Sequence, residues 1–264
     1  MRFRPCIDIH NGAVKQIVGG SLHDQDTQSS ETNIIENFVA VQDAAFFASL
    51  YCRLGLKGGH VILLNNPTSE AYISTREQAL SALAAYPSGL QIGGGITADN
   101  AMAYLDAGAS HVIVTSYVFS DGRIIWDNLD KLVMTTGKER LVLDLSCRKK
   151  DGQYFIVTDR WQKYTEVVLS TELLTELSAY CDEFLIHAVD VEGLSGGIDE
   201  ELVRLMGQWN GIPITYAGGV HSFADLERLK ILGQNRIDVT IGSALDLFGG
   251  TMKFEEVLNY LARK

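Results

Sequence analysis

Eight times along its 264 residues the chain passes from a short run of branched apolar residues into a stretch with helical spacing. That rhythm restricts the fold more than any other feature. Runs beginning near residues 3, 59, 90, 111, 140, 183, 212 and 237 read as strands. Helical spacing covers 40–54, 69–86, 98–107, 123–136, 171–180, 199–209, 222–232 and 253–262. In the first of these, Val41, Ala45, Phe46 and Leu50 predict one side of the helix. Continuous apolar strands that alternate with helices belong to a parallel sheet covered on both faces. Eight such units fit a closed (β/α)8 TIM barrel, an α/β fold, better than an open doubly wound sheet. A chain this long buries roughly three-quarters of its unfolded surface, enough for one core, so a single barrel domain over 1–264 is expected.

The two halves echo each other. Gly93-Gly-Gly-Ile-Thr97 opens a helical stretch, and Ala217-Gly-Gly-Val-His221 opens another. Gly94 and Gly218 are 218 − 94 = 124 residues apart, and Ser116 and Ser243 are 243 − 116 = 127 apart. The pattern predicts a half-barrel internal repeat. Glycine at a strand end lets the backbone approach an anion, and free N–H groups with a helix N-terminus supply positive potential. Gly94 and Gly95 with Thr115 and Ser116 therefore form one candidate phosphate cradle. Gly218 and Gly219 with Gly242 and Ser243 form the second. The alternative is a pair of tight barrel turns. A ligand with a phosphate at each end would use both cradles.

Each half also carries one acid in its first strand, Asp8 in Arg4-Pro-Cys-Ile-Asp-Ile-His10 and Asp144 in Leu141-Val-Leu-Asp-Leu-Ser146. An unpaired buried carboxylate costs on the order of several kcal/mol, so two at matching positions predict a pair facing a common site. The competing structural partners are Lys15 for Asp8 and Arg148 for Asp144.

Charge and composition remove several classes. A net charge of −11 disfavours a general nucleic-acid binder. No run reaches the ~18 apolar residues of a membrane span, and the first residues contain no signal-peptide pattern. Cys6, Cys52, Cys147 and Cys181 form no Cys-x-x-Cys pair, which argues against zinc or a disulfide framework and for a reduced, cytoplasmic protein. The six histidines show no metal-ligand grouping, so no metal is expected. Between the barrel units, 11–20 read as a loop or short hairpin, 21–37 as a polar surface loop and 147–161 as a polar hairpin. The latter two are expected to close over a ligand.

Taken together, several phrases resemble the histidine-biosynthesis isomerase family, closest to its eukaryotic-type branch. They are Cys6-Ile-Asp-Ile-His-Asn-Gly-Ala-Val-Lys-Gln16, Gly93-Gly-Gly-Ile96, Asp144-Leu-Ser-Cys-Arg-Lys149, His187-Ala-Val-Asp-Val-Glu-Gly-Leu-Ser-Gly-Gly197 and Gly242-Ser-Ala-Leu-Asp-Leu-Phe-Gly-Gly250. The resemblance spans almost the whole chain. It implies a cofactor-free Amadori rearrangement, in which a bis-phosphorylated aminoaldose ribonucleotide becomes an aminoketose. It also implies that Asp8 is the general base and Asp144 the general acid. His187 stands where the common pattern has threonine, and is implied to steer Asp144 or the substrate. Glu192 and Gly193 fall on the acid-glycine pair of that pattern, and Trp161 on a loop tryptophan that stacks on the imidazole-carboxamide ring. Lys15, Gly19, Gly20 and Arg148 complete the implied substrate contacts. Asn65 and Asn66 replace an acidic phrase of many relatives, and Thr97 stands where several carry arginine. The sister cyclase that makes imidazole glycerol phosphate shares this layout, and a non-catalytic phospho-metabolite sensor is the reading from another class. The partner expected in all three is a small phosphorylated molecule, bound by a monomer.

Overall fold

Parallel pairing runs without interruption around eight strands in a computed structural model that describes residues 1–17, 36–159, 161–194 and 196–262. The barrel strands are β1 (Cys6–His10), β2 (Gly59–Leu63), β3 (Leu90–Gly93) and β4 (Val112–Val114), then β5 (Leu141–Asp144), β6 (Glu183–His187), β7 (Ile214–Ala217) and β8 (Ile237–Val239). Each pairs in parallel with the next, from Cys6 opposite His60 at one end to Ile214 opposite Ile237 at the other. The ring closes through a parallel bridge between Phe3 and Val239, where Arg4 N donates to Val239 O at 2.8 Å and Val239 N to Arg2 O at 3.0 Å. The closed TIM barrel is therefore present, as the eightfold rhythm predicts.

One helix follows each strand. They are α1 (Ala44–Arg53), α2 (Tyr72–Ala85), α3 (Ala101–Asp106) and α4 (Trp126–Thr136), then α5 (Thr171–Leu177), α6 (Glu200–Gly207), α7 (Phe223–Leu232) and α8 (Phe254–Ala262). Asp43, Ser170, Asp199 and Ser222 cap α1, α5, α6 and α7 by accepting from a backbone N–H three residues on; such caps are each worth about 1 kcal/mol. The Asp43 cap corrects the expected face of α1. Because the helix starts after it, the buried stripe is Ala44, Phe47, Ala48 and Tyr51, while Val41 lies outside the helix and 98% exposed.

Three excursions leave the barrel on type I′ turns, which need two consecutive positive φ angles and so favour Asn-Gly and Asp-Gly. Asn11-Gly12 (φ 52° and 73°) turns β1 into the strand Ala13–Ile17, which pairs back onto β1 and then with Glu36–Val39. Asp121-Gly122 (φ 51° and 77°) makes a hairpin of Phe119–Ser120 and Arg123–Ile124, so α4 begins at Trp126 and not near 123. Asp151-Gly152 (φ 50° and 79°) joins Cys147–Lys150 to Gln153–Thr158. Lys163–Val168 adds a third antiparallel strand that a simple hairpin over 147–161 does not anticipate. The last two residues of the expected polar loop, 36 and 37, begin the strand Glu36–Val39; 18–35 lie outside the described residues.

Alternate residues of each barrel strand face the interior. Along β6 this stacks Glu183, Leu185 and His187 from the N-terminal to the C-terminal end. Leu185 joins Ile62, Ile113 and Val142 in a small apolar cluster separate from the main core between strands and helices. Below that cluster lies a buried polar layer. Glu183 accepts from Arg4 at 3.3 Å, Gln91 at 3.1 Å and Thr215 at 2.6 Å, and Asp238 accepts from Arg4 at 3.0 Å. Above it, at the mouth, lie Asp8, Asp144 and His187.

Removing one partner of a buried ionic cluster strands the others without compensation. Arg4→Met is expected to lower unfolding stability by roughly 3–5 kcal/mol, read as an earlier urea midpoint, with the folded fraction retaining its activity.

Candidate active site

The β1 and β5 acids reach the barrel mouth because both occupy inward positions in the C-terminal half of their strands. Two adjoining cavities open there, of about 310 and 30 Å³. Asp8, Gln16, His187 and Glu192 line both. The larger also holds Asp144, Gly94, Gly95, Thr115, Ser116 and Trp161. The smaller holds Gly193, Gly218, Gly219, Gly242 and Ser243. The two glycine cradles thus fall in separate lobes, which meet along Asp8, Gln16, His187 and Glu192.

The half-barrel repeat is visible in how the cradles are built. Gly94 has φ +100°, and a Cβ there would lie 2.1 Å from Leu63 O at the end of β2. Gly218 has φ +125°, and its Cβ would lie 2.9 Å from Ala188 O just past β6. In both halves the turn passes too close to the preceding strand end for a side chain.

The environments of the two acids differ sharply. Among the described residues Asp8 receives one hydrogen bond, from Gln16 Nε2 to Oδ2 at 3.3 Å. Burial, with the nearby Glu192 carboxylate adding to it, pushes Asp8 up to about 7 against the opposing pull of His187 and Gln16. Asp144 Oδ1 accepts from Ser146 N at 2.8 Å and Ser146 Oγ at 2.6 Å, and lies 3.7 Å from His187 Nδ1. Burial alone would raise Asp144, but His187 and Ser146 together outweigh it and hold the carboxyl below its ordinary range. Ser146 Oγ, 3.2 Å from His187 Nδ1, bridges the pair. For His187 burial opposes the charge, yet Asp144, Glu192 and Asp8 prevail and raise it. Burial also raises Glu192, partly offset by His187, and among the described residues its Oε2 has no hydrogen-bond partner. Beneath His187, with ring centroids 6.2 Å apart, buried His60 is driven down to about 3 by desolvation and by His187. It is neutral wherever the protein is folded at neutral pH.

Trp161, with an unusual positive φ of 67°, sets its ring 5.5 Å from His187. Its strand excursion is tied to the end of β4 by Asp159 N donating to Ser116 Oγ at 3.2 Å.

Other expected contacts lie elsewhere. Lys15 is buried and lines neither cavity, because strand alternation turns Gln16 inward instead. Arg148 donates to Asp190 at 2.8 Å, lies over the Tyr164 ring and also lines neither cavity, so it is not the partner of Asp144. Asn65 and Asn66 reach the wall, but Asn65 is bound to Asn11 and Thr75, and Asn66 to Thr68. Gly19 and Gly20 lie outside the described residues. Sequence reasoning missed Gln16 and Ser146. Ser146 carried a signal, since an Asp two residues before a Ser commonly accepts from its backbone N–H.

A closed barrel whose mouth holds two glycine turns and two carboxyl groups in unlike environments has the form of a small-molecule enzyme. A family model described as "Histidine biosynthesis protein" matches residues 2–252, and the chain belongs to that family. It is 55% identical over 260 residues to a chloroplastic protein of Medicago truncatula, covering 98% of this chain and 81% of the relative. It is 48% identical to a Neurospora crassa protein, with 94% and 93% covered, and 42% identical to one from Saccharomyces cerevisiae, with 97% and 96% covered. All three are named 1-(5-phosphoribosyl)-5-((5-phosphoribosylamino)methylideneamino)imidazole-4-carboxamide isomerase.

A carboxyl group raised on folding binds its proton more tightly in the native than in the unfolded state. Stability is therefore lost as pH rises from the unfolded value near 3.8 through about 7. Asp8→Asn is expected to stabilise the fold at pH 8 by roughly 2–4 kcal/mol and to change little at pH 3.5, as thermal or urea unfolding at the two pH values will report.

Proposed function

We infer that this chain catalyses the isomerisation for which its relatives are named, the Amadori rearrangement of the aminoaldose to the aminoketose in histidine biosynthesis. The observation that carries the site assignment is the contrast between Asp8 and Asp144 in one mouth, with an anion cradle in each lobe. The rearrangement needs a proton donor to help open the ribose ring and a base to take the proton from C2. A carboxyl near neutrality suits a base that must later return its proton, which is the role we give Asp8.

Asp144, expected from the resemblance to be the acid, is instead the more ionised of the two. We assign the donated proton to His187, held by Asp144 directly and through Ser146. Ring opening would draw on this imidazolium, and Asp144 would stabilise it while it carries the proton. Each lobe accommodates one phosphate: Gly94, Gly95, Thr115 and Ser116 on one side, and Gly193, Gly218, Gly219, Gly242 and Ser243 on the other. Trp161 is placed to stack on the imidazole-carboxamide ring. Glu192, with its unpartnered buried oxygen between the lobes, offers an acceptor for a ribose hydroxyl.

We propose that the protein works as a single-domain cytoplasmic monomer. The four cysteines are free, which fits a reducing compartment, although the Medicago truncatula relative is named chloroplastic. Among the described residues no helix is long and apolar enough to cross a membrane.

The test is turnover of the bis-phosphorylated aminoaldose by the purified chain. Wild-type activity is expected, with a loss of roughly 100-fold or more in each of Asp8→Asn, Asp144→Asn and His187→Asn. In wild type, kcat/KM is expected to rise with pH through about 7 as Asp8 ionises, and to fall again as His187 loses its proton. Turnover only of the aminoketose with ammonia would make the chain the cyclase. Tight substrate binding without turnover would make it a sensor.

A further inference from the structure

Among the described residues, Gln16 is the one side chain from outside the barrel strands that hydrogen-bonds the proposed base. It sits on the strand Ala13–Ile17, turned inward by the Asn11-Gly12 hairpin, and is 5% exposed. Its Nε2 lies 3.3 Å from Asp8 Oδ2 and 3.8 Å from Cys6 Sγ. Its Oε1 faces the other way, against the turn after β8. A Cβ placed on Gly242 would lie 2.2 Å from that oxygen, so the amide occupies the space a side chain at 242 would need. Gln16 also lines both cavities. One buried amide therefore spans from the acid to the anion-binding turn of the smaller lobe.

We propose that Gln16 is the positioning residue for Asp8: its amide holds Oδ2, leaves Oδ1 to take the substrate proton, and ties the carboxylate to the phosphate turn at Gly242. This rests on reading Asp8 as the base. The residue type is informative. A cation here would hold Asp8 ionised and weaken it as a base, while a second carboxylate would repel it. A neutral donor supplies orientation and a modest stabilisation of the charged form. At 3.3 Å the bond is longer than the 2.7–2.9 Å usual to an ionised carboxylate, and such contacts in ligand-free sites commonly tighten when substrate is seated.

The titratable groups facing Asp8 are Cys6 on β1, Tyr51 on α1, His187 on β6 and Glu192 just after it. Burial keeps the Cys6 thiol and Tyr51 hydroxyl protonated, leaving His187 and Glu192 as the charges that compete with Gln16.

The experiment compares Gln16→Met, which fills the space without a donor, with Gln16→Lys, which donates and adds a cation. The Asp8 carboxyl is titrated in the free protein by its 13C shift, and kcat and KM are followed against pH. Gln16→Met is expected to move the Asp8 titration up by about 1 unit. It should also lower kcat at pH 7 by about 10-fold to 100-fold, with KM within about threefold and the loss shrinking at higher pH. Gln16→Lys is expected to move the titration down, the opposite sign, which a merely space-filling residue would not produce. In an Asp8→Asn background, Gln16→Met should add no further loss of kcat. If Gln16→Met does not fold, Gln16→Glu carries the same test with the same sign. An unchanged Asp8 titration, shifts of the same sign in the methionine and lysine variants, or a loss expressed in KM at every pH would overturn the proposal. Because the titration needs no turnover, an inactive wild type would sink the functional reading while the contact between Gln16 and Asp8 was still measured.

Discussion

A strand in a closed barrel offers every second residue to the interior and none of the others, and this alternation decides almost everything at the mouth. Glu183, Leu185 and His187 share one face of β6, so the same register places a buried ionic contact, an apolar layer and an imidazole at the mouth at successive heights. Slipping β1 by one residue would turn Asp8 out among the helices and bring Ile7 or Ile9 to the mouth. The polar layer around Arg4, Glu183 and Asp238 opposes such a slip, because it satisfies buried charges in one register only. Far from the chemistry, the N-terminal end of the barrel keeps the C-terminal end in phase.

Within that frame, one residue type is pushed in opposite directions because its surroundings differ. Asp8 has burial, a like charge nearby and a long hydrogen bond from Gln16. Asp144 has burial too, but also a serine that donates twice and a histidine at 3.7 Å. Pairs of titratable groups pushed in opposite directions are how one site performs acid and base chemistry at one pH. His60 adds to this by staying neutral beneath His187, so that it contributes no second cation to the pair.

The barrel, the repeat, the two acids and most of the two cradles were legible in the sequence because each rests on a local rule. Apolar alternation marks strands, and glycine marks turns too close for a side chain. The excursions were less legible, although their Asn-Gly and Asp-Gly turns were in plain view, because polar strands outside the core lack an apolar period. Charge singles out Lys15 in the sequence, whereas the hairpin register selects Gln16 by parity. Nearness in sequence pairs Arg148 with Asp144, but the strand Cys147–Lys150 carries it to Asp190. The state of the proton on Asp144 depends on His187, 43 residues later in the chain, and no local pattern reports that.

The apolar layer of Ile62, Ile113, Val142 and Leu185 has a further consequence. Two of its members, Ile62 and Ile113, line the larger lobe, whereas the polar side chains of His60 and Thr240 line only the smaller one. A proton moving beneath a seated ligand would therefore have to travel by way of the smaller lobe, past an imidazole that burial and His187 hold neutral. Isotope exchange with solvent at the reacting carbon would then depend on how that lobe is filled.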